Sequence, residues 1–228
     1  MKVEIIDCPQ NLIETIYKAY RVCYSKDAPT EIKIPTIGAS IRNAPDTQKM
    51  LDFIKSHISH ESPLEHISFT FAIEGISRIT EQQSTRHRLA SFSIQSGRYV
   101  NKSNSDVVIP PTIIANKKAF DIFLDTMMFI KSAYDKLIAL GIPKEDARYI
   151  VPQGQETNMI VTMNTRELIH FFGERLCKRA QWEIRDLAEE MRKQVNELLP
   201  IFDRKDVMKC GKSCNECIGK EEDNDTTK

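Results

Sequence analysis

ISFTFAIEGIS, residues 67–77, alternates Phe69, Phe71 and Ile73 against Ser68, Thr70 and Ala72. That two-residue period is the pattern of a strand with one buried face. The residues that follow, 78–90, read as a helix, so a strand passes directly into a helix. Upstream, MKVEIID reads as a short strand, and Leu12, Ile16, Ala19 and Cys23 recur at helical spacing after Pro9. Asp46 stands where it can cap a helix carrying Met50, Leu51, Ile54 and Ile58 on one side. Pro63 sets the limit that this helix cannot pass.

Downstream, VVIPP is extended, and residues 117–140 form a long periodic helix ended by Gly141 and Pro143. ETNMIVTMN reads as a further strand. Asn164, with Glu167 three residues later, makes a capping-box-like start for the helix NTRELIHFFGERL. A last helix runs through AQWEIRDLAEEMRKQVNELL, with Trp182 packing beside Ile184 and Leu187. Strands and helices interleave without repeats, so the class is α/β (α+β). We expect one domain over residues 1–209, whose central sheet, mostly antiparallel or mixed, is flanked by helices. Residues 210–228 are polar and charged, and are expected to form a partly disordered tail.

Composition narrows the function classes. Thirty-two basic residues balance thirty-two acidic ones, which argues against a protein that coats nucleic acid or a membrane surface. No apolar run approaches the length of a membrane span, and MKVEIIDCPQ has no signal-like core. The expected setting is cytoplasmic, with reduced thiols, because six dispersed cysteines do not make a small secreted disulfide scaffold.

Against this neutral background, residues 82–105 contain no Asp or Glu, yet hold Arg86, His87, Arg88, Arg98 and Lys102. Gln83, Ser84, Ser91, Ser93, Gln95, Ser96 and Asn101 surround them with short hydrogen-bonding groups that suit a polyoxygenated anion such as phosphate. If residues 78–90 are helical, Gln83, Arg86, His87 and Ala90 share a face and Arg88 points away, so the two arginines serve different ligands. A solvated basic face is the plain alternative. A nucleic-acid patch is less suited, because interleaved Ser and Gln with few aromatics lack the stacking platform that single strands need.

HESPLEH, with two histidines and two glutamates, raises a metal site. Pro63 breaks the helix that zinc-protease spacing needs, so we expect no metal there. Cys210, Cys214 and Cys217 have the C-x3-C-x2-C spacing that also holds iron–sulfur clusters, with spare thiols as the alternative.

RHRLASFSIQSGRY, residues 86–99, resembles the signature of the flavin-dependent thymidylate synthases: Arg86-His87-Arg88, seven residues, then Ser96. HESPLEHISFTF, KEDARYIVP, VTMNTREL and ERLCKRAQWEI resemble further blocks of that family. The resemblance implies reductive methylation of dUMP to dTMP for de novo dTMP synthesis. Methylenetetrahydrofolate would be the carbon donor, and FAD the hydride source, reduced in turn by NADPH. It implies a homotetramer with sites shared between subunits.

Carried over residue by residue, the resemblance implies dUMP contacts from Gln83, Arg86, Gln95, Ser96, Gly97, Arg98, Arg148 and Arg175. Arg175 and Ser96 take the catalytic positions, Ser96 holding substrate rather than attacking it. FAD falls to His60, Ser62, Arg86, His87, Arg88, Asn164, Arg166 and His170. Arg166 and His170 lie four apart on one helix face and Arg175 opposite, with Gly173 as a place to bend. Ser93 and Ile94 stand where the family commonly has Asn and Glu. His170 stands where Asn is frequent, and Arg179 where His occurs.

Overall fold

The computed structural model describes residues 1–37, 44–101 and 106–208. Along the chain run β1 (Lys2–Asp7), α1 (Leu12–Val22), α2 (Thr47–Ser56), a 3-10 turn (Ser62–His66) and β2 (Ser68–Ser77). Then come α3 (Arg78–Ser84), β3 (Ala90–Ile94), α4 (Pro111–Ile114), α5 (Lys117–Ala139) and α6 (Lys144–Ala147), which leads into a second 3-10 turn (Arg148–Ile150). β4 (Glu156–Asn164), α7 (Thr165–Arg175), α8 (Trp182–Leu198) and α9 (Arg204–Val207) complete the order. The strands form one antiparallel sheet in the order β1-β2-β4-β3, so the class is mixed α and β as expected. The expected tail, with Cys210, Cys214 and Cys217, lies outside the described residues, as does Lys102.

By compactness the chain divides into two units. One takes Met1–Lys2, Ile73–Arg86 and Phe92–Ile160; the other takes Val3–Ala72, His87–Ser91 and the chain from Val161 onward. The division falls inside the strands themselves, between Ala72 and Ile73 in β2 and between Ile160 and Val161 in β4.

In the unit that contains α7, the core is built from apolar stripes. Ile16 and Tyr20 of α1 pack with Met50 and Ile54 of α2, all fully or almost fully buried. Leu168, Phe171 and Phe172 of α7 and Ile184, Leu187, Met191 and Val195 of α8 are buried in the same way. Asp46 caps α2 by accepting from Lys49 N–H at 3.0 Å, and Gln181 caps α8 by accepting from the Glu183 and Ile184 N–H groups at 3.1 Å. Thr70 and Thr162 share a hydroxyl hydrogen bond of 2.9 Å between β2 and β4. On β1, the Gln194 amide donates to Val3 C=O at 2.9 Å and accepts from Ile5 N–H at 3.1 Å.

In the other unit, α5 ends as its glycine dictates. Gly141 has φ +81°, its N–H donates to Ile138 C=O, and Ile142 N–H donates to Leu137 C=O, a left-handed cap that satisfies the last carbonyls. The segment after residue 105 pairs with the approach to β4 through Val108 N–H to Gly154 C=O and Glu156 N–H to Asp106 C=O. Gly75, inside β2, has φ +69° and donates its N–H to the Asn158 side chain at 3.0 Å.

One expectation fails. The helix expected over residues 78–90 stops at Ser84, and the residues from Ala90 form β3. Ser84 and Thr85 turn their hydroxyls onto the Thr80 and Gln82 carbonyls at 2.8 and 3.1 Å, local bonds that loosen a helix end. The shared face proposed for Gln83, Arg86, His87 and Ala90 therefore does not form: Gln83 is in α3, Arg86 and His87 are in the turn, and Ala90 opens β3.

Gly75→Ala should destabilise the protein by about 1–2 kcal/mol, because an L side chain disfavours the left-handed backbone. A Cβ there would also stand 3.4 Å from the Met1 nitrogen. A lowered urea midpoint with unchanged slope is the expected result.

Candidate functional site

His87 lies outside any helix, in the unit that contains α7. There Glu167, Phe171 and Arg175 stand at i, i+4 and i+8, one ridge of α7. His87 is 5% exposed. Its Nδ1 lies 3.0 Å from Glu167 Oε1, and Arg175 Nε donates to its Nε2 at 3.1 Å. Phe171 packs edge-on to the ring at 4.8 Å between centroids, and His170 lies tilted at 5.4 Å.

An Nε2 that accepts from a guanidinium carries no proton, so the proton sits on Nδ1 and is donated to the carboxylate. Burial pushes the imidazole below its ordinary value; the Glu167 hydrogen bond pulls it up and Arg175 pushes it down. The net direction is down, toward the neutral ring that both hydrogen bonds require. Ligand atoms of His87, Glu167 and His170 come within 4.8 Å of one another, but both nitrogens of His87 are engaged and a guanidinium adjoins it. Glu167, His87 and Arg175 form a hydrogen-bond relay, and a centre beside that guanidinium is poorly suited to a divalent cation.

The other flavin-assigned residues of this unit gather around the start of α7. Asn164 is its N-cap, accepting from Glu167 N–H at 2.8 Å; the Glu167 carboxylate goes to His87. Arg166 bonds Glu61 at 2.9 Å and also Glu65, which ties α7 to the HESPLEH block. Ser62 opens the 3-10 turn of that block, and exposed His60 meets Tyr24 edge-on at 5.7 Å. Arg88 and His170 are exposed. α7 is continuous through Gly173, with Arg166 and Arg175 turned to different partners as its spacing implies.

In the other unit, a cavity of about 330 Å³ is lined by Gly97 and Arg148 together with Arg78, Gln82, Tyr149 and Gln153. Its size lies in the range of small-molecule sites. The Gly97 backbone passes close to Arg148: a Cβ on the glycine would stand 3.4 Å from Arg148 Cδ. Around it, Arg98 pairs with Glu145 at 3.0 Å, Lys144 donates to Tyr99 C=O at 2.9 Å and Arg148 Nε donates to Glu145 C=O at 3.2 Å. These bonds anchor residues 97–99 to α6 and the turn behind it. Ser96 Oγ accepts from Arg98 N–H at 3.3 Å. Gln83, Gln95, Ser96 and Arg98 are outside the cavity lining, and Arg86 is exposed.

Sequence reasoning missed Arg78, Gln82 and Gln153 on the cavity, and Glu167 beneath His87. The polar pair Gln153 and Gln155 after Pro152 was a usable signal. Glu167 carried none, since its partner is eighty residues away and its place at the third helical position already had a capping reading.

Over residues 4–201 the chain matches the family described as thymidylate synthase complementing protein. A flavin-dependent thymidylate synthase of Geobacter sulfurreducens is 42% identical over 206 residues, 90% of this chain and 86% of the relative. That of Nitratidesulfovibrio vulgaris is 41% identical over 209 residues, 87% and 84% of the two chains. That of Pyrococcus furiosus is 38% identical over 222 residues, 96% and 87% of the two chains. The chain belongs to the flavin-dependent thymidylate synthase family. With the family come enzymatic synthesis of thymidylate and use of a flavin.

Because His87 is held neutral, the unfolded chain takes a proton below about pH 6.5 that the folded chain resists. The stabilisation is therefore present at neutral pH and is lost as pH falls below that value. From this group the slope is at most about 1.4 kcal/mol per pH unit. Urea midpoints measured from neutral to mildly acid pH should fall less steeply in His87→Gln than in the parent protein.

Proposed function

We propose that this chain methylates dUMP to dTMP in de novo dTMP synthesis, with methylenetetrahydrofolate as carbon donor and FAD, reduced by NADPH, as hydride source. The observation that carries this reading is the cavity beside Gly97 and Arg148, where cations and amides meet and, among the described residues, no carboxylate joins the lining. Such a wall suits a nucleotide monophosphate: a guanidinium pairs two phosphate oxygens, and amides pair the edge of a pyrimidine.

Arg148, with Gln83, Arg86, Gln95, Ser96, Gly97 and Arg98 from the same unit, binds dUMP. Ser96 holds the substrate by its hydroxyl. Arg175 stabilises the negative charge that grows on the pyrimidine carbonyl as carbon five becomes nucleophilic. No thiol attacks the ring, a reading supported by the absence of cysteine from the cavity lining among the described residues.

The α7 unit fits a flavin dinucleotide by the chemistry of its donors. Arg88 is an exposed guanidinium, and Arg166 is a second, oriented by Glu61 and Glu65. These two suit the diphosphate, and His60, Ser62, His87, Asn164 and His170 suit ring and sugar oxygens. When bound, the flavin would supply the hydride; the protein binds, orients and excludes water.

The working form is a homotetramer. α5 supports this: of its twenty-three residues, Tyr134 is the buried one, while Ile122, Phe129 and Leu140 beyond its end are 68%, 74% and 78% exposed. Apolar surface on that scale marks an interaction face. The protein works in the cytoplasm, a reading supported by free Cys8, Cys23 and Cys177. Among the described residues, no helix is long and apolar enough to cross a membrane. Residues 1–209 carry the activity, with residues 210–228 a separate tail.

Purified protein should be yellow and form dTMP from dUMP, methylenetetrahydrofolate, NADPH and FAD; a colourless protein without turnover overturns the reading. Arg175→Ala should lower kcat on the order of 10²- to 10³-fold, the size of losing a donor to developing charge. Light scattering should give a mass near four times 26.2 kDa. Phe129→Glu should lower it.

A further inference from the structure

From the geometry around His87 we infer that Glu167 is a positioning residue, fixing the tautomer of His87 and through it the plane of the Arg175 guanidinium. The inference rests on the proposed role of Arg175 at the substrate. The three groups form a line: Glu167 Oε1 to His87 Nδ1 at 3.0 Å, then Arg175 Nε to His87 Nε2 at 3.1 Å. His87 and Glu167 expose about a twentieth of their side chains, so water offers little alternative to these contacts.

Only one arrangement of protons satisfies both distances. With the proton on Nδ1, the ring donates to the carboxylate and its Nε2 lone pair accepts from the guanidinium. Moving the proton to Nε2 would set two donors against each other at 3.1 Å and two lone pairs against each other at 3.0 Å. A doubly protonated ring would keep the carboxylate bond but lose the one to Arg175. The groups that face the ring are Glu167, His170 and Arg175 of α7, with Phe171 packed on its edge. Of these, the Glu167 carboxylate is the acceptor that selects the tautomer.

The consequence for Arg175 is orientation. Held at Nε, a planar guanidinium has its plane constrained by the bond to His87. A buried carboxylate also needs a compensating charge, and the ring joins Glu167 to the cation of Arg175 without direct contact between them. This is the logic of a carboxylate behind a histidine that holds a metal, with a guanidinium in the place of the metal.

The test compares Glu167→Gln with Glu167→Leu in the full-length, flavin-loaded protein. The Gln carbonyl still accepts from Nδ1–H, so kcat/KM for dUMP should stay within about threefold of the parent, whereas Leu should lower it about 10- to 100-fold. Bound-flavin absorbance should be retained in both. Histidine labelled with ¹⁵N, assigned by the signal lost in His87→Gln, should show a neutral ring protonated at Nδ1 in the parent and in Glu167→Gln. In Glu167→Leu it should show a mixture.

A parent ring protonated at Nε2 overturns the inference, as does a leucine variant with unaltered tautomer and parental kcat/KM. If the parent makes no dTMP, the proposed function fails while the nitrogen shifts still decide the relay. If the leucine variant does not fold, the parent tautomer and the glutamine variant decide it.

Discussion

A buried carboxylate must be answered, and in this protein Glu167 is answered by His87. That requirement joins a turn late in the first half of the chain to α7 far along it. After Ser84 the helix gives way to a turn in which the His87 ring is buried and Arg86 and Arg88 on either side are exposed. In Arg-His-Arg the buried middle residue is the one with interior hydrogen bonds.

Most of the scaffold was legible because its signals are local. Phe69, Phe71 and Ile73 alternate and are buried; Asp46 and Asn164 cap the helices that their spacing announces; Gly141 ends α5 with a positive φ. β3 was hidden because ASFSI, though alternating, lies inside a polar acid-free stretch and is only five residues long. A helical periodicity begun at Arg78 swallowed it. The competing interaction, His87 with α7, is a long-range contact, and no window of neighbouring residues contains it.

The site was legible in a different degree. Residue types in the basic stretch announced an anion, and the resemblance named one. Gly97 and Arg148 do meet at a cavity. Arg166 has two carboxylate partners that spacing alone did not suggest, and Glu167 turned out to serve a neighbour in space after being read as a cap. In each case the missing information was which distant charge must be neutralised, which depends on packing and not on the order of residues.

Gln194 of α8 occupies one backbone donor and one backbone acceptor of β1, the strand at one edge of the sheet. A bare strand edge is a template on which another chain can zip itself into place, and a side-chain amide on those groups takes the template away. Copies of the protein that meet at this edge find the Val3 carbonyl and the Ile5 N–H already taken. Contact through backbone, which leads to open-ended stacking, is obstructed at these two groups, whereas contact through side chains, which can close on itself, remains available.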